Sequence, residues 1–309
     1  MVDETTLPFR DDVVALFPGQ GSINAAAGRP WRHSPHWGVV ERVSQVSGVD
    51  VEGLLLDEGR EDVVRTDNAQ LATFALSLVG YYELLDLGVR PRYLLGHSLG
   101  EFSALVASGL LGLDEGARLI AVRGAAMARA ATLTEGSMVA LMGGDDAARE
   151  ALATLDDVWI ANINGTGQIV LSGTREGLND LLSRHRDLGW RRATPLAVGG
   201  AFHSPLMAPA QSELDAALAG TSWGSTEATL ISNVDAQVHT SPGEWRDLLR
   251  RQLTSPVDFL NATLALPERV SITVEMPPAG VLTGLTKRIR EFVVQLSPAT
   301  LEELKESTI

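Results

Sequence analysis

The feature that most constrains the fold is the regular alternation of short apolar runs with longer helical patterns. The run Val13 to Phe17 ends at once in the loop Pro18-Gly19-Gln20-Gly21-Ser22, which is typical of a buried strand followed by a tight turn. A helical pattern covers 69–87, and a second short strand is predicted at 93–95. Strands that alternate with helices form parallel sheets covered on both faces. The sequence therefore predicts an α/β fold, with a large α/β-hydrolase-like domain built on a mainly parallel sheet.

The middle of the chain has a different order of elements. Strand and helix patterns follow one another as β-α-β-β-α-β, over 138–142, 145–155, 158–164, 168–173, 174–188 and 191–196. This order is that of a ferredoxin-like unit, which is compact by itself. We therefore predict a small ferredoxin-like domain over 130–200, inserted into a large α/β catalytic domain that comprises 1–129 and 201–309.

The α/β pattern resumes after the predicted insertion. Helices are expected over 205–218 and 242–253, with strands near 229–232 and 272–275 and a further helix from about Gly280. No internal repeat interrupts this order.

Composition and charge narrow the classes of function. The net charge is -14, so nucleic acid is not an expected partner, because binding phosphates requires clustered Lys and Arg. The absence of cysteine excludes disulfides, thiolate metal sites and a cysteine nucleophile, and it fits a cytoplasmic protein. No uninterrupted apolar stretch could span a membrane, and the acidic start over 1–12 lacks the features of a signal peptide. We expect a soluble protein without a bound metal.

A nucleophile elbow is indicated by Gly96-x-Ser98-x-Gly100. It follows the strand at 93–95 and precedes a helical pattern from Glu101, the context in which a serine is held on a sharp strand-to-helix turn. The start of such a helix directs N–H groups toward an oxygen that becomes negative during acyl transfer. A purely structural turn is the alternative interpretation.

The serine needs a base, and histidine is the natural candidate near neutral pH. Of the six histidines, His97 adjoins Ser98 but should point elsewhere and act as a supporting or pocket residue. His203 lies in a glycine-rich passage where the inserted domain rejoins the large one, and a cleft between domains favours a ligand site. The residues alone leave both histidines open as the base, with His203 preferred. The other four have polar neighbours and are interpreted as solvated: His33, His36, His185 and His239.

With these residues placed, the sequence resembles the malonyl-CoA:acyl carrier protein transacylase family, which includes acyltransferases of polyketide synthases. The matching segments run in order along nearly the whole chain: 17–22, Gln70, 96–101, Arg123-Gly124, 161–164 with 167–168, 201–207, 231–234, 251–253 with 256–257, and 281–288. The Ala-Phe-His-Ser form of the segment at 201–204 is similar to that of malonyl-using members.

The resemblance implies a ping-pong acyl transfer. Ser98 would take the acyl group from coenzyme A and pass it to the phosphopantetheine thiol of an acyl carrier protein, with no other cofactor. His203 would be the general base, oriented by the backbone carbonyl of Gln252, and the N–H groups of Gln20 and Leu99 would form the oxyanion hole. The implied substrate-binding residues are Arg123, Gln70, His97, Gln252 and Asn162, with Arg123 pairing with the free carboxylate of malonate.

Three departures from the family pattern are present. The first loop differs over Ile23 to Trp31, a late Gly-Pro-Gly segment is replaced by Met276 to Gly280, and the first loop carries an aromatic cluster of Trp31, His33, His36 and Trp37. The first and third of these departures keep other acyl groups open. The alternatives are a discrete polyketide acyltransferase that carries another acyl group, even from carrier to carrier, and an acyl-editing serine hydrolase.

An acidic carrier protein would be repelled by a net charge of -14, so docking requires a local basic patch. The candidates are Arg184, Arg186, Arg191, Arg192, Lys287, Arg288 and Arg290. Each of them singly could equally be an ordinary solvated side chain.

Overall fold

The structure is a computed structural model of the chain and describes residues 7–307. Within these residues the strands are β1 (Phe9–Phe17), β2 (Arg90–Gly96), β3 (Gly136–Met142), β4 (Val158–Gly165), β5 (Gln168–Thr174), β6 (Arg192–Pro195), β7 (Thr229–Ile231), β8 (Val238–His239), β9 (Val257–Asp258), β10 (Ile272–Glu275) and β11 (Val294–Leu296). The α-helices are α1 (Gly38–Ser47), α2 (Val51–Leu56), α3 (Thr66–Asp86), α4 (Gly100–Ala107), α5 (Leu113–Leu133), α6 (Asp146–Ala151), α7 (Arg175–Arg184), α8 (Gln211–Ala219), α9 (Pro242–Gln252), α10 (Phe259–Leu264), α11 (Val281–Ile289) and α12 (Leu301–Glu306).

The larger sheet has six strands in the order β11-β10-β1-β2-β7-β8. All neighbours are parallel except β7 and β8, which pair antiparallel. Residues 13–17 of β1 have no exposed surface, because helices cover both faces of the sheet. The predicted α/β fold with a mainly parallel sheet is confirmed.

The smaller sheet has the order β6-β3-β5-β4-β9. Its first four strands pair antiparallel in the ferredoxin-like arrangement, and all four lie within the predicted insertion. The fifth strand, β9, joins β4 in parallel from the later part of the chain. The sequence did not predict β9, because two residues are too few for a recognisable pattern. The domain boundaries near 130 and 200 stay a prediction.

The helix α3 is longer and more buried than its sequence pattern suggests. All but a few of its residues are buried, because it packs between α2, α4 and α5. The helix expected over 205–218 is divided: Pro205–Ala210 forms a 3-10 helix that contains Pro209, and α8 follows. A proline inside an α-helix removes one N–H donor, which accounts for the division.

The two tryptophans of the aromatic cluster in the first loop belong to the core. Trp31 and Trp37 are 1% and 3% exposed, and their indole N–H groups donate to Ala299 O and Glu52 Oε1 at 3.2 and 3.1 Å. A Cβ on Gly28 would lie 2.9 Å from the Trp37 ring. The cluster therefore fastens the loop to α2 and the C-terminal segment.

The second departure from the family pattern also has a packing role. The carbonyl of Pro277 accepts a hydrogen bond of 2.7 Å from Ser77 Oγ on α3, and a Cβ on Gly80 would lie 2.2 Å from the Pro277 ring. Among residues 7–307, no side chain of these departing segments forms a hydrogen bond with Ser98.

None of the helices formed by residues 7–307 is long and apolar enough to cross a membrane. The prediction that the chain starts without a signal peptide depends partly on residues 1–6, which lie outside the described residues.

Candidate active site

The turn that carries Ser98 is built by two close backbone approaches. It joins β2, which ends at Gly96, to α4, which begins at Gly100. A Cβ on Gly96 would lie 2.1 Å from the carbonyl carbon of Gly100, and a Cβ on Gly100 would lie 2.0 Å from Phe17 O. Ser98 itself has a φ of 55°, a strained value for a residue with a side chain. The glycines make the sharp turn possible, and the turn presents Ser98 just beyond the carboxyl end of β2.

His203 faces Ser98 directly. Its Nε2 lies 2.7 Å from Ser98 Oγ, and its Nδ1–H donates to the backbone carbonyl of Gln252 at 2.9 Å. Because the carbonyl can only accept, it fixes the tautomer in which Nε2 carries the lone pair toward the hydroxyl. The φ of His203 is 56°, and Ser172 Oγ donates to the preceding carbonyl of Phe202, so this strained backbone is anchored to the smaller sheet.

The surroundings of His203 keep the imidazole neutral. Burial, and then the nearby positive charge of Arg123, lower the pKa of His203 to about 3. The ring is 4% exposed. A neutral imidazole with its lone pair on a serine hydroxyl is arranged to accept a proton.

A cavity of about 430 Å³ has His203 in its wall. It is lined mainly by the smaller sheet and its helices, including Trp159 and Ile160, and is completed by Pro205 and Pro256. The base therefore borders a pocket beside the smaller sheet.

Two N–H groups close to the elbow have no acceptor. Among residues 7–307, neither Gln20 N nor Leu99 N donates a hydrogen bond. The loop of Gln20 lies beside the elbow, since a Cβ on Gly19 would lie 3.2 Å from His97 O. Such free donors can receive the oxygen of a tetrahedral intermediate.

Arg123 lies on the other side of Ser98 and is 1% exposed. Its Nη1 donates to Gln70 Oε1 at 2.5 Å, and its Nη2 donates to Gln252 Oε1 at 2.8 Å and to Ser98 Oγ at 3.1 Å. Its Nε is buried without an acceptor in the described part of the chain. Burial lowers the pKa of Arg123 to about 10, so the guanidinium remains charged near neutral pH.

His97 and Asn162 are placed differently from Arg123. Nε2 of His97 lies 2.9 Å from Asn164 Oδ1, and its ring packs on Phe259 with centroids 5.4 Å apart, so His97 is turned away from Ser98. Burial lowers the pKa of His97 as well. Asn162 is 6% exposed in β4, and the asparagine that contacts His97 is Asn164, two residues later.

Sequence reasoning gave no role to two further residues that hold the elbow. Asn233 Oδ1 accepts the N–H of Ser98 at 2.7 Å, and Asn233 Nδ2 donates to Gly96 O at 2.8 Å. Glu101, 1% exposed in the first turn of α4, accepts hydrogen bonds from Asn233 N and Gln252 Nε2. Burial raises the pKa of Glu101 to about 7, although both bonds and the charge of Arg123 act against the rise. Both residues lie within quoted motif segments, which was the available signal.

Three histidines interpreted as solvated are half-buried instead. His36 bonds to Asp86 at 2.8 Å, His239 bonds to Asp235 at 3.0 Å, and Nδ1 of His185 lies 2.9 Å from Leu182 O. His33 is exposed as expected. The interpretation was wrong for these three. His36 has an acidic partner distant in sequence, His239 pairs with an aspartate four residues earlier, and His185 contacts a carbonyl three residues earlier.

The candidate basic residues fall into two groups. Arg186, Arg191, Arg192, Lys287 and Arg288 are exposed, and Arg288 donates to Gln168 Oε1 at 2.5 Å across the two parts of the chain. Arg290 instead donates to four backbone carbonyls of residues 266–270 and serves the fold. Arg184 is paired with Asp180 at 2.8 Å.

No group of three or more histidine and acidic side chains within the described residues could hold a metal ion. Around Ser98 the structure brings together a neutral histidine, a buried arginine and two N–H groups that have no acceptor among residues 7–307.

Comparisons with known proteins agree with this arrangement. Residues 14–302 match the model of the acyl transferase domain family. The chain is 33% identical over 306 residues to a malonyl CoA-acyl carrier protein transacylase of Bacillus subtilis, covering 94% of this chain and 95% of that protein. The crystal structure of a malonyl-CoA:acyl carrier protein transacylase from Xanthomonas oryzae superposes with a TM-score of 0.89 at 33% identity, covering 96% of this chain and 98% of that one. A malonyl-transacylase solved in complex with its type II polyketide synthase acyl carrier protein gives a TM-score of 0.90 at 30% identity, covering 95% and 98%.

Proposed function

The chain belongs to the acyl transferase domain family, and on that premise we propose that it transfers a malonyl group from coenzyme A to an acyl carrier protein. The acceptor is the phosphopantetheine thiol of the carrier, and the reaction serves fatty acid or polyketide biosynthesis. The relatives named as malonyl transacylases support both substrates.

The first half-reaction acylates Ser98. As Oγ attacks the thioester carbonyl, its proton passes to Nε2 of His203, 2.7 Å away. The carbonyl oxygen becomes negative and is held by the N–H groups of Gln20 and Leu99. The carbon–sulfur bond then breaks, and His203 returns the proton to the departing coenzyme A sulfur.

The second half-reaction repeats these steps with the carrier. His203 takes the proton of the phosphopantetheine thiol, and the sulfur attacks the ester carbonyl of the acyl-enzyme. When the ester bond breaks, the same proton returns to Ser98 Oγ. The enzyme ends in its starting state, which is the condition for a ping-pong cycle.

The observation that carries the malonyl assignment is the environment of Arg123. Its guanidinium is buried, lies 3.1 Å from Ser98 Oγ and has an Nε–H without an acceptor among residues 7–307. A buried charge without a full set of partners is costly, and a carboxylate is the partner whose geometry matches it. A malonyl group on Ser98 brings its free carboxylate within reach of this side chain.

Gln70, Gln252, His97 and Asn162 complete the proposed substrate site. The two glutamine oxygens hold Arg123 by hydrogen bonds, while His97 contacts Asn164 of β4, the strand that also carries Asn162. We assign the carrier to the exposed basic residues and the enzyme to the cytoplasm, where a chain without cysteine fits.

The test is the mass of the intact protein after incubation with malonyl-, methylmalonyl- and acetyl-coenzyme A. We expect the added mass of a malonyl group, its loss in Ser98→Ala, and its transfer to an added carrier protein. Preferential labelling by an uncharged acyl group would overturn the malonyl assignment. Release of free acid instead of carrier loading would identify a hydrolase.

A further inference from the structure

Glu101 is a buried carboxylate beside the reacting serine that the proposed chemistry does not use. It lies three residues after Ser98, in the first turn of α4, and is 1% exposed. One carboxylate oxygen accepts the N–H of Asn233, and the other accepts Nε2 of Gln252. Both of these partners touch Ser98 themselves, so Glu101 is connected to the elbow from two directions.

Gln252 is the residue on which these contacts converge. Its Nε2 donates to Glu101 and to the carbonyl of Ser98, the latter at 3.0 Å, while its Oε1 accepts from Arg123 at 2.8 Å. Turning the amide over would place an NH2 group against the guanidinium and an oxygen against two other oxygens. The carboxylate of Glu101 therefore helps decide that Gln252 presents an acceptor to Arg123.

We propose that Glu101 is a positioning residue for the acyl carboxylate: it fixes the amide of Gln252 so that Oε1 holds Arg123 in the orientation that binds a malonyl group. This inference depends on the proposed malonyl transfer. Glu101 touches no reacting atom and acts only through Gln252.

Glu101→Gln is the informative substitution, because it keeps size and shape but leaves a single acceptor oxygen. This oxygen can accept from either Asn233 N or Gln252 Nε2, but not from both. The new NH2 group of the glutamine then faces the other of these two donors. Where Gln252 turns over to meet that NH2 group, Arg123 loses one acceptor. We expect the preference for malonyl- over acetyl-coenzyme A, measured as the ratio of kcat/KM for acylation, to fall about tenfold, as for one hydrogen bond to a charged group.

Glu275→Gln is a matched control. Glu275 is also fully buried, and its two oxygens accept N–H groups, those of Leu282 and Thr283 at 2.9 and 2.7 Å at the start of α11. Among residues 7–307, its carboxylate forms no hydrogen bond with Ser98, Gln252 or Arg123. We expect this control to lower the melting temperature and leave the malonyl preference as in the wild type.

Two more variants separate positioning from a general loss of structure. Glu101→Asp keeps a carboxylate and should retain more of the preference than Glu101→Gln. In Gln252→Met, which cannot donate to Glu101 and offers Arg123 only a weak thioether acceptor, the preference should fall by a similar factor, and adding Glu101→Gln should lower it no further. Gln252→Met also carries the test if Glu101→Gln fails to fold.

An unchanged preference in folded Glu101→Gln or in Gln252→Met would overturn the inference. So would an equal loss of preference in Glu275→Gln, or additive effects of the two substitutions at 101 and 252. A wild-type enzyme without malonyl preference would instead contradict the proposed function, because that measurement involves no change at Glu101.

Discussion

The two sides of Ser98 are held in different ways. On one side, His203 is oriented by the backbone carbonyl of Gln252. On the other side, Arg123 is oriented by side-chain oxygens, those of Gln70 and of Gln252. A backbone carbonyl is present whatever residue occupies the position, whereas a side-chain oxygen is lost with one substitution. The proton-transfer side is therefore insensitive to the side chain at 252, and the side that selects the acyl group is open to change.

The largest effect tests the residue that both sides share. Ser98→Ala removes the oxygen that carries the acyl group, so acyl-enzyme formation should be abolished for every donor. The measurement is intact-protein mass after incubation with malonyl-coenzyme A, with circular dichroism as the control for folding. A folded variant that still gains the acyl mass would place the nucleophile elsewhere.

The base side is tested by His203→Ala. The variant should lose at least the ~10²-fold typical of a missing general base, and the loss should be similar for charged and uncharged donors. Gln252→Ala, which keeps the backbone carbonyl, should retain most of the acetyl transfer. A near-normal rate in His203→Ala would contradict the assignment of the base. If acetyl transfer were lost as severely in Gln252→Ala, the difference between the two sides would disappear.

The carboxylate side is tested by Arg123→Ala. A charge-assisted contact contributes roughly 1.5–3 kcal/mol, so kcat/KM for malonyl transfer should fall about 10- to 150-fold. Acetyl transfer should be unchanged or faster, since a buried charge no longer opposes an apolar acyl group. Arg123→Lys, which keeps the charge but loses the planar fork, should recover only part of the malonyl rate. Equal losses for both donors would assign Arg123 to the fold or to Ser98 activation.

The pH dependence of the malonyl preference should be smaller, at most about tenfold. The pKa of Glu101 is raised to about 7, so its carboxylate is ionised above that pH and protonated below it. Only the ionised form can accept from both Asn233 and Gln252, and the preference should therefore fall as pH decreases through about 7. The charged groups that act on Glu101 are Arg123 on α5 and Asp235 in the turn before β8.

Other titrating groups should not contribute to this pH effect, and Glu101→Gln provides the control. The pKa of His203 is lowered to about 3, so the base remains neutral over the same range and contributes no change. Effects on coenzyme A cancel in the ratio of the two donors. The ratio should be independent of pH in Glu101→Gln. A wild-type preference that is flat between pH 6 and 8, or one that rises on acidification, would contradict the expected sign.

Local sequence patterns predicted the turn that carries Ser98, but not the hydrogen bonds from distant residues that hold this turn. The strand, the two glycines and the helix around Ser98 all lie within ten residues of it on either side, and the glycines have a steric reason that the sequence displays. Asn233 holds the same turn by a hydrogen bond to Ser98, from which it is separated by 135 residues. Glu101 in turn accepts a hydrogen bond from Asn233, at a separation of 132 residues. Which polar residue meets which over such separations is decided by the packed sheet, and no local pattern records it.

The first loop shows that an unusual sequence does not by itself indicate a change in the acyl pocket. The tryptophans at 31 and 37 departed from the family pattern and therefore suggested a change in the acyl pocket, yet both are core residues. Sequence identifies an unusual residue without showing which side of the backbone it faces. The strand β9 is a similar case, because its pairing with β4 depends on where the two parts of the chain meet.

The smallest expected effect concerns docking of the carrier protein. The contacts of Ser98 with His203 and with Arg123 should not change. Arg191 and Arg192 are exposed at the start of β6, away from the buried contacts around Arg123 and His203. Their reversal to glutamate should raise the KM for the acidic carrier about three- to fivefold, because exposed charges contribute up to about 1 kcal/mol. Acylation by malonyl-coenzyme A should not change.

Reversing Arg118, an exposed arginine of α5 paired with Glu115, alters the net charge in the same direction and is the control, with no expected effect on the carrier KM. High salt should reduce the difference between the reversed and the wild-type enzyme, since it screens exposed charges. If both half-reactions weaken equally, these arginines bind coenzyme A or support the fold, and carrier docking must be sought among Lys287 and Arg288.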